Sequence, residues 1–257
     1  MAKSYNYWSK ESLEEFKKAW QFQSKSEILS LYPQHTYHQL KAIAGYYQIR
    51  KKISPRKKQL SKLLEWSPES CYWLGFLMGD GSFYKGAVDL CLAKKDFNHL
   101  LKYIEFLTLD IKPKSKRENS PYPAYRVQVE DIDTVEKIHN IFNFVSPKTY
   151  NPFNLDYILS HDYFIPFLAG YIDADGNIRT NNCNNLQIRI LAHNNWKDNF
   201  ALIANKLLQL DIDSKIYTKK YTTLYIHKAK SVMDLYKKVY SYNLPLLDRK
   251  WDIIKNY

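Results

Sequence analysis

Asp80 and Asp175 are the residues of this 257-residue chain whose types and spacing best suit chemistry. Each ends an apolar run of helix length and is followed by glycine: residues 73–81 read WLGFLMGDG and residues 167–176 read FLAGYIDADG. A helix C-terminus carries partial negative charge, so a carboxylate there is unfavourable unless a cation sits opposite it. One such end would be an ordinary acidic terminus capped by glycine. The chain has two. Superposing them puts Gly75 on Gly170, Gly79 on Ala174, Asp80 on Asp175 and Gly81 on Gly176. The small residues recur at i and i+4, on one helix face, where they let a second backbone approach closely. Gly75 and Gly170 are therefore the expected helix-packing residues. Two helices joined through that face bring the carboxylates side by side, where they repel each other. A divalent cation resolves that repulsion and the conflict with both dipoles. The pattern predicts a metal site.

The elements that must position this pair form an internal repeat. Leu109-Asp110-Ile111 recurs as Leu210-Asp211-Ile212, each time after an amphipathic stretch. Each unit reads as helix, two strands, helix, two strands and a closing helix. Val88, Leu90 and Leu92 alternate onto one face of a strand. A period of about 100 residues is too long for a solenoid and indicates duplication of an α+β unit with pseudo-two-fold symmetry. The axis should run between the motif helices, with one antiparallel sheet from each half. Residues 67–150 are the expected first repeat and residues 151–257 the second.

The rest of the chain is basic. Net charge is +12, and residues 1–66 hold 13 Lys and Arg against 5 Glu. That surplus suits a polyanionic partner. Arg50, Lys51, Lys52, Arg56, Lys57 and Lys58 crowd one stretch broken by Pro55, read as an exposed basic linker over residues 50–66. Before it, residues 1–49 show three short helical patterns, started by Ser9, Ser24 and Thr36. They resemble a helix-turn-helix or Myb-like DNA-binding module, against the alternative of a plain helical extension. No apolar run of about 18 residues and no secretory signal is present, and Cys71, Cys91 and Cys183 are unclustered. A soluble intracellular protein without membrane contact is expected.

Residues 168–176, LAGYIDADG, stand one letter from the consensus of the LAGLIDADG homing endonucleases, and WLGFLMGDG is a degenerate copy. The chain resembles the single-chain, two-repeat, monomeric type over about three quarters of its length. The resemblance implies two pseudo-two-fold related αββαββα repeats with DNA-binding sheets, and a site-specific endonuclease that cuts a long duplex target to leave staggered 3′ overhangs. It makes Asp80 and Asp175 the metal ligands, with the Gly79 and Ala174 carbonyls as further donors. The cofactor it implies is Mg²⁺, with Mn²⁺ as a substitute and Ca²⁺ supporting binding without efficient cleavage. The first motif departs from the consensus by having Met78 where the second has Asp173, and Asp173 is expected to play a structural part.

The resemblance also places a basic residue at the end of a late strand and a polar one at the end of an early strand beside the reacting water. These fall at Lys230, with Lys228 two residues away, and at Lys94 and Asn194. DNA contacts are expected from outward strand residues: Lys85, Lys114, Lys116 and Arg117 in one half, and Arg179, Gln187, Arg189, Lys215, Lys219 and Lys220 in the other. Arg249 and Lys250 are expected on backbone phosphate. Two other readings share the fold: an intron maturase binding its own intron RNA, and a DNA-binding regulator. Neither needs both aspartates.

Overall fold

Hydroxyl side chains start the first and third N-terminal helices where the sequence places them, while Ser24 lies outside the described residues. Ser9 accepts from the Ser12 amide at the head of α1 (Lys10–Phe22). α2 (Lys25–Leu31) follows, and Thr36 shares a reciprocal capping box with Gln39 at the head of α3 (Tyr37–Tyr46). Such caps satisfy amides that lack a partner inside the helix. Phe16, Trp20, Ile28, Leu40 and Ile43 build a small core of their own, with Trp8 tilted against Phe16 and Tyr32.

The chain divides into two compact units, Met1–Lys58 and Gln59–Tyr257. The structure, a computed structural model, describes residues 8–23, 25–49, 59–84, 86–118, 120–144, 147–181 and 184–257. The contacts expected at Lys85, Arg50, Lys51, Lys52, Arg56, Lys57 and Lys58 lie outside the described residues. The expected linker is corrected at its C-terminal end. Gln59–Leu64 is a 3-10 helix, and Leu60 and Leu63 are fully buried in the core of the second unit. Residues i and i+3 share a face in a 3-10 helix, so this pair buries together while Lys62 points its ammonium at the Phe106 carbonyl, 2.8 Å away.

The second unit holds the duplication. Its first half runs α4 (Pro68–Gly79), β1 (Gly81–Tyr84), β2 (Ala87–Ala93), α5 (Phe97–Phe106), β3 (Lys114–Lys116), β4 (Ala124–Glu130) and α6 (Ile132–Phe142). A short α7 (Asp156–Ser160) leads into α8 (Phe164–Asp175), β5 (Gly176–Thr180), β6 (Leu186–Ala192), α9 (Lys197–Gln209), β7 (Lys215–Thr218), β8 (Thr222–Ile226) and α10 (Ala229–Tyr240). A last helix, α11 (Asp248–Lys255), closes the chain. The sheets have the same antiparallel order, β1-β2-β4-β3 and β5-β6-β8-β7. Val88, Leu90, Val127, Ile188, Ile190 and Leu224 alternate inward to a core that both halves share.

Register relates the two sheets residue by residue. Gly81 pairs with Leu90 and Gly176 with Ile190; Leu90 pairs with Val127 and Ile190 with Leu224. Counting outward from these pairs sets Asp89 on Arg189 and Gln128 on Tyr225. Among the described residues no helix is long and apolar enough to cross a membrane.

Candidate active site

Ser67 and Ser70 cap α4 reciprocally, Pro68 follows the cap, and from there the helix is apolar to Met78. α8 is equally apolar, as two helices at the centre of a shared core must be. They cross at their glycines. A Cβ on Gly75 would lie 1.9 Å from the Phe167 carbonyl oxygen, and one on Gly170 would lie 1.9 Å from that of Tyr72. Backbone therefore meets backbone from both sides. Further along, a Cβ on Gly79 would lie 2.4 Å from that of Ala174 and 3.1 Å from Asp175 Oδ2. The same crossing that needs small residues brings Asp80 and Asp175 together at the two C-termini.

Both carboxylates reach solvent, yet close packing at the helix ends still penalises their charge. That packing, and then the Asp175 charge, push Asp80 up to about 6. Asp175 is raised as well, by desolvation, with Lys148 and Lys250 opposing the shift. Lys148 is the main addition to what the sequence suggested, and Lys250, expected on backbone phosphate, is only 8% exposed and turned to backbone carbonyls instead. Lys148 Nζ donates to the carbonyls of Leu77, Met78, Gly79 and Gly81 at 3.0, 2.9, 3.2 and 2.5 Å. Lys250 Nζ donates to those of Ile172, Asp173, Ala174 and Gly176 at 2.9, 2.6, 3.4 and 2.6 Å. Each ammonium satisfies the last carbonyls of one motif helix and places a positive charge at the dipole's negative end. Burial pushes Lys148 down to about 8 and lowers Lys250, while the aspartates pull both the other way.

Each lysine is itself held. Asp173, only 1% exposed, accepts from Tyr72 Oη at 2.7 Å, the Leu247 amide at 2.9 Å and Trp251 Nε1 at 2.7 Å. Leu247 and Trp251 flank Lys250, so this buried carboxylate anchors α11 to the motif helix. Burial raises Asp173 to about 6, against the three donors, which lower it. Lys148 is steadied differently. The segment that follows it accepts from the turn after β6: Thr149 O takes Trp196 Nε1 at 3.2 Å and Tyr150 O takes Asn195 Nδ2 at 2.8 Å. The second repeat thus positions the lysine that closes the first repeat's helix.

Other expected residues fall less simply. Lys230 is corrected: β8 ends at Ile226, and Lys230 is an exposed residue in the first turn of α10. Lys228 is paired with Asp213 at 2.6 Å. Lys94 and Asn194 take equivalent places, each opening the 3-10 turn after the second strand. Asn194 is committed to the β7–β8 hairpin, donating to Lys219 O at 3.1 Å and accepting from Thr222 Oγ1 at 3.2 Å. His193, which the sequence reading passed over, lines a cavity of about 240 Å³ with Gly79, Lys148, Tyr171 and Asp175. Arg249 does not project alone; it grips Asp96 through both carboxylate oxygens at 2.6 and 2.8 Å.

Of the expected contact residues, Lys114, Lys116, Arg117, Arg179, Lys215, Lys219 and Lys220 are exposed. Gln187 is corrected. It is 1% exposed, because Arg189 and Tyr225 lie across it and both donate to its Oε1.

As a cation site, the helix ends offer hard oxygen donors that suit a divalent ion: two carboxylates and the Gly79 and Ala174 carbonyls. Those two carbonyls form the longest bonds of their lysines, 3.2 and 3.4 Å, and retain acceptor capacity. Among the described residues no group of three or more His, Cys, Asp or Glu side chains gathers to bind a metal. The donor set fits an ion whose remaining ligands are water and substrate oxygens.

Residues 164–240 match the family model of a LAGLIDADG-like domain. None of the curated proteins matches the chain by sequence. The homing endonuclease I-WcaI bound to its DNA recognition sequence is similar over 99% of this chain and 95% of that one, at 14% identity and a TM-score of 0.54. Mesophilic variants of the homing endonuclease I-DmoI are similar over 77% of this chain and all of theirs, at 17% identity and a TM-score of 0.49. The N-terminal LAGLIDADG domain of DUF199/WhiA covers 71% of this chain and 88% of its own length, at 15% identity and a TM-score of 0.43. At such identities the likeness is one of fold. Residues 164–240 match a LAGLIDADG-like domain, and the chain from Gln59 onward has the two-repeat LAGLIDADG fold.

Proposed function

We propose that the protein is a metal-dependent endonuclease that cuts double-stranded DNA at a long specific site. The observation that carries this reading is the meeting of Asp80 and Asp175 at two helix ends, each helix closed by a lysine, half-buried at Lys148 and buried at Lys250. Asp80 and Asp175 would hold the divalent ion, Mg²⁺ by preference, with the Gly79 and Ala174 carbonyls. When bound, the ion would supply Lewis-acid stabilisation of the phosphate oxygens and lower the pKa of a coordinated water.

The chain's own residues do the rest. The helix crossing fixes the spacing of the two carboxylates, so one acts near each strand of a duplex lying across the pseudo-two-fold axis. Lys148 and Lys250 keep positive charge where negative charge develops on the reacting phosphates, in a site too crowded for water to screen it fully. His193 stands at the rim of the cavity beside Asp175 and orients water there. The exposed Lys114, Lys116, Arg117, Lys215, Lys219 and Lys220 supply phosphate contacts along the two sheets.

The test is cleavage of a randomised duplex pool with Mg²⁺ or Mn²⁺, followed by sequencing of the cut ends, which should carry staggered 3′ overhangs. Asp80→Asn and Asp175→Asn should each abolish cleavage and leave binding in Ca²⁺ near wild type. Cutting by either variant at the normal rate would remove that aspartate from the reaction.

A further inference from the structure

The pseudo-two-fold that relates the sheets sets opposite charges on one position. Asp89 in β2 and Arg189 in β6 are register equivalents, each the neighbour of the motif glycine's partner strand residue. Both lie on the face turned away from the core, between inward residues Val88 and Leu90, and Ile188 and Ile190.

Arg189 is prearranged. One terminal nitrogen donates to Gln187 Oε1 at 2.9 Å, and the guanidinium carbon lies 4.8 Å from the Tyr225 ring centroid. Tyr225 Oη donates to the same Gln187 oxygen and its ring stacks on His227 at 5.3 Å. The plane of the guanidinium is thus set before any ligand arrives, so little rotamer freedom is lost on binding. On the other sheet Asp89 accepts from Arg126 Nε at 2.5 Å, so an acidic acceptor is held where Arg189 offers donors.

We propose that Arg189 reads a guanine, with Gln187 and Tyr225 as its positioning residues. The inference rests on the DNA reading above. A planar guanidinium fork matches O6 and N7 of guanine in the major groove, whereas a carboxylate matches the amino group of cytosine.

The experiment is selection of bound duplexes from a randomised pool by the full chain in Ca²⁺. Wild type should enrich guanine at one position of one half-site by roughly ten- to a hundredfold. Arg189→Lys and Arg189→Ala should both flatten that position and leave the others, since lysine keeps the charge and loses the fork. Gln187→Ala should weaken the same preference with Arg189 intact. Asp89→Asn should change a position in the opposite half-site. If Arg189→Ala instead weakens all sequences alike and lowers the salt slope by about one, Arg189 is a phosphate contact and the proposal fails. Selective binding indifferent to Arg189 overturns this inference alone; a wild-type chain that binds no duplex overturns the DNA reading with it.

Discussion

Lys148 and Lys250 perform the same act in the two repeats. Lys148 bonds the carbonyls of Leu77, Met78, Gly79 and Gly81; Lys250 bonds those of Ile172, Asp173, Ala174 and Gly176, which are their repeat equivalents. Neither lysine lies in a motif helix. Each returns from elsewhere in the chain to close one.

Replacing either lysine by methionine should therefore damage both stability and chemistry. The methionine stem fills similar space but leaves a cluster of carbonyls without donors, a loss of about 2–4 kcal/mol by the cost of unpaired buried polar groups. Urea unfolding of Lys250→Met should show that loss. At saturating DNA the surviving folded fraction should cut roughly tenfold to a thousandfold more slowly, the scale of one electrostatic stabiliser. Lys230→Met, an exposed change in α10, should alter neither quantity and serves as the control.

Gly75→Ala and Gly170→Ala test the crossing. Each new methyl would press on a backbone oxygen 1.9 Å away, and no side-chain rotation relieves it. The helices would have to separate, at about 3 kcal/mol or more. Thermal unfolding should drop by several degrees in each. Gly45→Ala, where a Cβ meets nothing within 4 Å, should leave stability unchanged or slightly raised.

The pH dependence has a definite sign. Packing and the Asp175 charge raise Asp80 to about 6 in the folded chain from 3.8. A raised carboxyl favours the folded state while protonated, so this contribution is full below about pH 4 and is lost as pH rises through about 6. Asp80→Asn should consequently stabilise the metal-free protein at pH 7 to 8, by roughly 1 kcal/mol once solvent screening is allowed for. The gain should vanish at pH 4. Conversely, stabilisation by Mn²⁺ should grow as pH passes upward through about 6, since the ion competes with the proton. A melting-temperature series from pH 4 to 8, with and without Mn²⁺, checks both slopes.

Residues 1–58 form a unit with its own core, so their deletion should leave the second unit folded. If the three helices bind DNA as a tethered module, removing them should weaken affinity and reduce its salt dependence, because fewer phosphates are neutralised. The cutting rate at saturating enzyme should persist. An unchanged footprint and salt slope would show that the helices do not touch the target. The truncation must begin at Gln59, since Leu60 and Leu63 belong to the main core.

What was legible in the sequence was what is local or repeated. The motif helices, their glycines, both aspartates and the strand alternation all follow from spacing that two copies display. Lys148 was not legible, because its partners are the far ends of helices reached only after the chain folds back. Lys230 reads as a strand end because LYIHKAK continues a strand-like run; the spacing changes only afterwards, when Val232, Leu235 and Val239 bury at helical intervals. Gln187 reads as exposed from its polarity, yet Arg189 and Tyr225 cover it, which patterns within a single strand do not reveal.

Asp173 anchors Lys250 through Leu247 and Trp251, while its counterpart in the first repeat is Met78, buried at 2% exposure with no charge to offer. A protein assembled from two identical subunits could not show this difference, since every substitution would appear at both ends of the axis. Joining the copies in one chain lets each drift separately. In the first repeat, which has no acid at that position, the segment after Lys148 is supported instead by Asn195 and Trp196, residues of the other. Neither repeat is now a complete unit that could be separated and paired with a copy of itself. The inherited symmetry survives in the backbone, while the two halves have come to depend on each other's differences.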